Sequence, residues 1–131
     1  MASVNNNAFK VVKNKYEKLE KAYEELMEDI YYSDGTFKAD HTDLWDAMWT
    51  ANDLYVEITK SIFQLEGLLS GLSHFNNKPT YDAMLNGLKQ LESDIISEYK
   101  NYKDSITNLS GGFTDSEQTR ITTFVIEGAL Y

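Results

Sequence analysis

The chain contains no cysteine, which excludes disulfides, thiolate nucleophiles and cysteine-built zinc sites together. It has a single proline, Pro79, and seven glycines in 131 residues. So few breakers favour long helices over many short strands. No apolar run approaches the roughly 20 residues of a membrane span, and the opening MASVNNNAFK lacks the apolar core of a signal peptide. The expectation is a protein that stays where it is made, cytoplasmic or incorporated in an assembled particle, with signal-less export as the other route.

The motifs of several enzyme classes are missing too. No Glu is followed three residues later by His, as carboxylate di-metal bundles require. There is no G-x-S-x-G nucleophile elbow, no P-loop and no G-x-G-x-x-G. The reading is therefore of a non-enzyme without cofactor or metal.

What the chain does have is acid. The formal net charge is -9, which disfavours nucleic acid and anionic lipid as partners. The acidity is uneven. Residues 34–66 carry two Lys against seven acids, whereas residues 1–33 carry five Lys against six.

It also has a regular apolar rhythm. Phe9, Val12, Tyr16, Leu19, Tyr23, Leu26 and Ile30 recur three and four residues apart. A mean spacing of about 3.5 keeps one stripe of a helix aimed at a neighbour, as in a coiled coil. Asp34-Gly35 supplies the stop, and Asp40 or Thr42 can cap the next helix. That helix, read from Asp43 to Leu72, carries one stripe through Leu44, Ala47, Ala51, Leu54, Ile58, Leu65, Leu68 and Leu72, with Ser61 as a polar gap. A second stripe runs beside it through Trp45, Met48, Tyr55, Ile62 and Leu69. Two stripes make a wide apolar face that touches more than one neighbour. After SHFNNKPT, Pro79 opens a third helix and holds Lys78 out of the helical backbone. Tyr81, Leu85, Leu88, Ile95, Tyr99, Tyr102, Ile106 and Leu109 form its stripe, and Ser110-Gly111-Gly112 ends it.

The last segment gives two signals. Thr114 and Glu117 have the spacing of a capping box, predicting a helix from Asp115. ITTFVI is rich in β-branched residues, which suit a strand. The expected architecture is all-α: an antiparallel up-down-up bundle of three long helices over residues 1–112, then a docking segment over 113–131 that is a short fourth helix or an extended tail.

Candidate site residues are few. Asp34, Asp40, His41 and Asp43 stand close in sequence and raise the question of a divalent cation, although the spacing is not that of an EF-hand. A solvated loop with a helix N-cap explains the same residues. His74 is read as a helix C-terminal cap. Trp45 and Trp49 are read first as core or core-rim; Trp49, outside both stripes of its helix, is alternatively an aromatic anchor for a partner, as are Tyr31 and Tyr32. Ile121, Phe124, Val125, Ile126, Leu130 and Tyr131 make the tail too apolar to stand free in water, so it folds back or docks on a partner.

The functional expectation is a protein–protein interaction or assembly protein, with a second copy of the chain among the possible partners. Small bundles with docking tails occur among virion connector and assembly proteins, an analogy of fold alone. One alternative is an acidic inhibitor that imitates a phosphate backbone through residues 34–66. The other is a helical-hairpin partner of a type VII-exported toxin, although SDGTF stands where such hairpins carry W-x-G.

Overall fold

The computed structural model describes residues 6–70 and 77–130. Three long helices dominate: α1 (Asn6–Ile30), α2 (His41–Leu69) and α3 (Lys78–Thr107). A short α4 (Asp115–Ile121) and a 3-10 segment (Val125–Leu130) follow. No strand occurs among the described residues; only an isolated bridge joins Tyr31 to Phe37. Leu72 and His74 lie outside the described residues, as does Tyr131.

The apolar rhythm of α1 has been translated into burial. Phe9, Val12, Leu19, Leu26 and Ile30 are buried, while Tyr16 and Tyr23 are half-buried. The helix ends at Ile30, where the backbone turns: Lys38 N–H donates to the Ile30 carbonyl at 2.9 Å and Tyr32 N–H to the Thr36 carbonyl at 2.7 Å. Asp34-Gly35 is the tip of this turn. The Asp34 carboxylate accepts from the Thr36 amide and hydroxyl at 2.9 and 2.6 Å, and these bonds hold its pKa below the ordinary carboxylate value.

Asp40, not Thr42, caps α2, its side chain accepting from the amides of Thr42 and Asp43. The helix therefore starts two residues earlier than Asp43. Its 29 residues span about 44 Å at 1.5 Å per residue. Both stripes reach the core: Leu44, Ala47, Ala51 and Ile58 from the first, Met48 and Ile62 from the second. In α3, Pro79 occupies the first turn with Asn77 as cap. α3 begins at Lys78 itself, one residue before the expected limit, a difference within the one or two residues by which helix ends shift with their definition.

Helix directions follow from side-chain contacts. Phe9 packs on Tyr81 with ring centroids 4.3 Å apart, and Tyr31 bonds Glu98. The two helices α1 and α3 thus run parallel. Leu26 and Ile30 share a recess with Ala47 and Thr50, and Lys15 pairs with Glu57, so α2 runs opposite to α1. This is the expected up-down-up bundle.

At the end of α3 the chain reverses through Gly111 and Gly112, with φ of 85° and 52°. Such left-handed conformations are routine only for glycine. The capping box then forms as its spacing predicts: Thr114 Oγ1 accepts from the Glu117 amide at 3.1 Å, and Glu117 Oε1 accepts from the Thr114 amide at 2.9 Å. The segment is helical, not extended. Its β-branched run does not make a strand because Thr122 and Thr123 hydroxyls donate back to the carbonyls of Thr119 and Arg120, each at 2.6 Å. These local bonds close α4 and leave Phe124 and Ile126 to be drawn into the bundle.

Candidate functional site

The C-terminal segment was a candidate partner-binding element, and its apolar side chains are spent inside the molecule. Ile121, Phe124 and Ile126 are buried in the same core as the three long helices. Buried in this way, they take the first of the two courses open to an apolar tail, folding back on the bundle rather than presenting themselves to a partner. Phe124 enters among Trp49, Trp45 and Tyr99 at centroid distances of 5.0, 5.9 and 6.4 Å. Trp49 is likewise engaged within the chain: it packs against Phe124 on one side, and the Arg120 guanidinium lies 5.3 Å from its ring. Val125 remains exposed and Leu130 is half-buried against the core.

Three polar contacts fix the segment. Ile126 N–H donates to Asn52 Oδ1 at 3.0 Å in the interior. Lys103 Nζ reaches Glu127 at 2.8 Å. His41 Nε2 stands 2.9 and 3.0 Å from the two oxygens of Glu117. Burial works to raise the Glu117 pKa, but the Thr114 backbone and the His41 ring outweigh it, and the net shift is downward. A lowered folded-state pKa adds stability that is present above the ordinary Glu value and lost as pH falls through the folded one. The unfolding midpoint is thus expected to fall on acidification below about pH 4.5. Glu117→Gln, which keeps the capping geometry, should remove this part of the pH dependence in denaturant titrations from pH 3 to 7.

The other candidates lie on the α1–α3 seam and its adjoining turn. Tyr16, Tyr23 and Tyr31 stand seven and eight residues apart on α1 and at its end, so they follow one line along α3. Tyr16 lies over Gly87, where a Cβ would collide with its hydroxyl. A mid-helix glycine costs about 1 kcal/mol relative to alanine, and here it admits an aromatic ring. Tyr31 donates to both oxygens of Glu98 at 3.0 and 3.2 Å, and its ring meets Phe37 at 5.3 Å. Burial first, then Glu98, push the Tyr31 pKa to about 12; burial, Glu98 and Asp94 do the same to Tyr23. Burial and then Glu20 raise the pKa of Tyr16. Of the three phenols, Tyr31 is the one that donates to a carboxylate at hydrogen-bond distance. Tyr32, beyond the helix end, is 56% exposed.

Behind this line Tyr99 and Tyr102 are wholly buried. The Tyr102 hydroxyl makes no hydrogen bond. Burial raises its pKa most, followed by the charge of Glu98, a loose approach to the Glu98 carboxylate outside hydrogen-bond geometry, and then Tyr31 and Tyr23. An unmade bond at a buried hydroxyl costs free energy. Tyr102→Phe is accordingly expected to leave stability unchanged or raise it by up to about 1 kcal/mol in urea unfolding. A comparable loss would mean that the hydroxyl is bonded.

The acidic turn does not gather its carboxylates. Asp40 is occupied as a cap, Asp34 by Thr36 and His41 by Glu117. Among the described residues no group of three or more His, Asp or Glu is arranged to hold a metal ion. Exposed apolar side chains elsewhere are Val11 on α1 and Phe63 on α2, the latter 83% exposed. No described helix is long and apolar enough to cross a membrane.

Sequence reasoning missed three positions that shape these sites. Asn52 reads as an ordinary surface amide beside Asp53, and its bond to Ile126 spans 74 residues. Gly87 had a usable signal, being a glycine inside a strong helical pattern. Glu98 had none, since nothing local marks it as the acceptor for Tyr31. The chain is thus an all-α bundle with a folded-back C-terminal segment. No protein-family model matches it, and comparison with curated proteins and with solved structures returns no match.

Proposed function

We propose that the chain is a non-enzymatic protein–protein interaction module, a structural or connector component of a larger assembly, and that it meets its partner through the α1–α3 seam. The observation that carries this reading is the row of half-buried Tyr16, Tyr23 and Tyr31 along one seam, with exposed Tyr32 in the turn at its end. Tyrosine offers a large rigid contact area with a polar tip, and interfaces are enriched in it. The tail, spent on its own core, leaves this seam as the aromatic surface with most to offer. The reading as a phosphate-backbone mimic has less support, because Glu57 on α2 stands 3.0 Å from Lys15 and 3.9 Å from Lys60, which interrupts an acidic row.

A photo-crosslinking residue placed at Tyr23 tests this in the native source. A discrete adduct is expected there, absent when the probe stands at exposed Asp53 on α2 and weakened by Tyr32→Ala. Equal labelling from Tyr23 and Asp53, or capture confined to a probe at Val125, would overturn the assignment.

A further inference from the structure

The seam that carries the proposed interaction has an electrostatic character of its own. Glu20, Asp94 and Glu98 border the three tyrosines, and each is answered by a neutral group. Glu20 stands by the Tyr16 hydroxyl, Asp94 accepts from Gln90 Nε2 at 2.8 Å, and Glu98 accepts from Tyr31. The ion pairs formed among the described residues use other acids: Glu57, Asp82, Glu117 and Glu127. Lys13 lines the N-terminal end of the seam, away from Asp94 and Glu98. The seam therefore holds two carboxylates outside any ion pair among the described residues, Asp94 and Glu98, beside the rings of Tyr23 and Tyr31, while Glu20 shares its N-terminal recess with Lys13.

We infer that the α1–α3 seam receives a cationic segment of a protein partner, with arginine side chains laid over Tyr23 and Tyr31 and paired to Glu98 and Asp94. The inference rests on the interaction reading above and adds the partner's chemistry to it. A guanidinium suits this surface better than an ammonium. Its planar fork takes a carboxylate in two parallel bonds, and its face stacks on a phenol ring. The tyrosines supply area and orientation, and the carboxylates supply attraction that salt weakens. Glu20 adds less, because Lys13 lines the same recess.

The test uses the full chain, isotope-labelled for amide NMR. The probes are a short peptide alternating arginine and alanine, the same peptide with glutamate for arginine, and a neutral amphipathic peptide of equal length. The arginine peptide is expected to shift amides of residues 16–31 and 94–105, with affinity falling steeply as salt rises. The combined change Glu20→Gln, Asp94→Asn and Glu98→Gln should weaken it by roughly tenfold, with the circular dichroism spectrum preserved. A matched change of Asp43→Asn, Asp46→Asn and Asp53→Asn on α2 should leave it within about twofold. Shifts centred on α2, no binding of the arginine peptide, or indifference to the seam triple would overturn the inference. If the neutral peptide binds the seam and the arginine peptide does not, the cationic partner is refuted while the seam as an interface stands. Loss of the Tyr23 cross-link described above would instead remove the interface itself.

Discussion

Phe124→Ala is expected to lower the unfolding free energy by about 3–5 kcal/mol, the range for deleting a buried aromatic side chain. Phe124 is 4% exposed and touches Trp45, Trp49 and Tyr99. Domains of this size have total stabilities of about 5–15 kcal/mol, so a single change in the C-terminal segment would remove a large share. The same variant has a spectroscopic signature. The chain has two tryptophans, and both pack on Phe124, so their emission should move to longer wavelength in the native state before any denaturant is added. A segment that merely rested on the surface would show neither effect.

The second large effect lies on α2. Ile58→Ala is expected to cost about 2–5 kcal/mol, from lost burial and an incompletely filled cavity. Ile58 is fully buried on the first stripe of α2, nine residues from Trp49. Nine residues are about 13 Å along a helix, so native tryptophan emission should stay unchanged while the urea midpoint falls. The pair of variants separates two parts of one core. Each destabilises, but only the change at Phe124 is seen by the tryptophans at rest. If Ile58→Ala costs less than about 1 kcal/mol, α2 is not the central packing element.

Much of this fold was legible because its signals are local. The stripe from Phe9 to Ile30 specifies α1 almost residue by residue, and the two stripes of α2 announce a helix packed on both sides. The Thr114–Glu117 box predicts α4 from two side chains three residues apart. The extended alternative for the tail came from an equally local signal, the β-branched run, and it lost. The hydroxyls of Thr122 and Thr123 bond the helix's own last carbonyls, and burial of Phe124 and Ile126 decides the rest. Tertiary packing overrides strand propensity in this way.

The candidate site was less legible, for a physical reason. Its defining contacts join residues far apart in the chain: Tyr31 with Glu98 across 67 positions, Asn52 with Ile126 across 74, His41 with Glu117 across 76. No spacing rule reports such pairs. Tyr31 and Tyr32 could be singled out as aromatic surplus, but not the neutral-partnered carboxylates beside them. Trp49, outside both stripes but read as core or core-rim, is covered by Phe124 of the tail, a contact that no spacing within α2 reports. Tyr99 and Tyr102 fit the stripe of α3, yet their complete burial depends on Phe124 and Phe37 covering them.

The C-terminal segment is an integral part of the core, and the α1–α3 seam is the proposed partner face that this leaves. Native-state hydrogen exchange at the Ile126 amide measures this directly, since that N–H is held by buried Asn52. It should exchange as slowly as the amides of Ile58 and Leu88, opening only with the whole molecule. Exchange at the rate of an unstructured peptide, with Ile58 and Leu88 still protected, would contradict it.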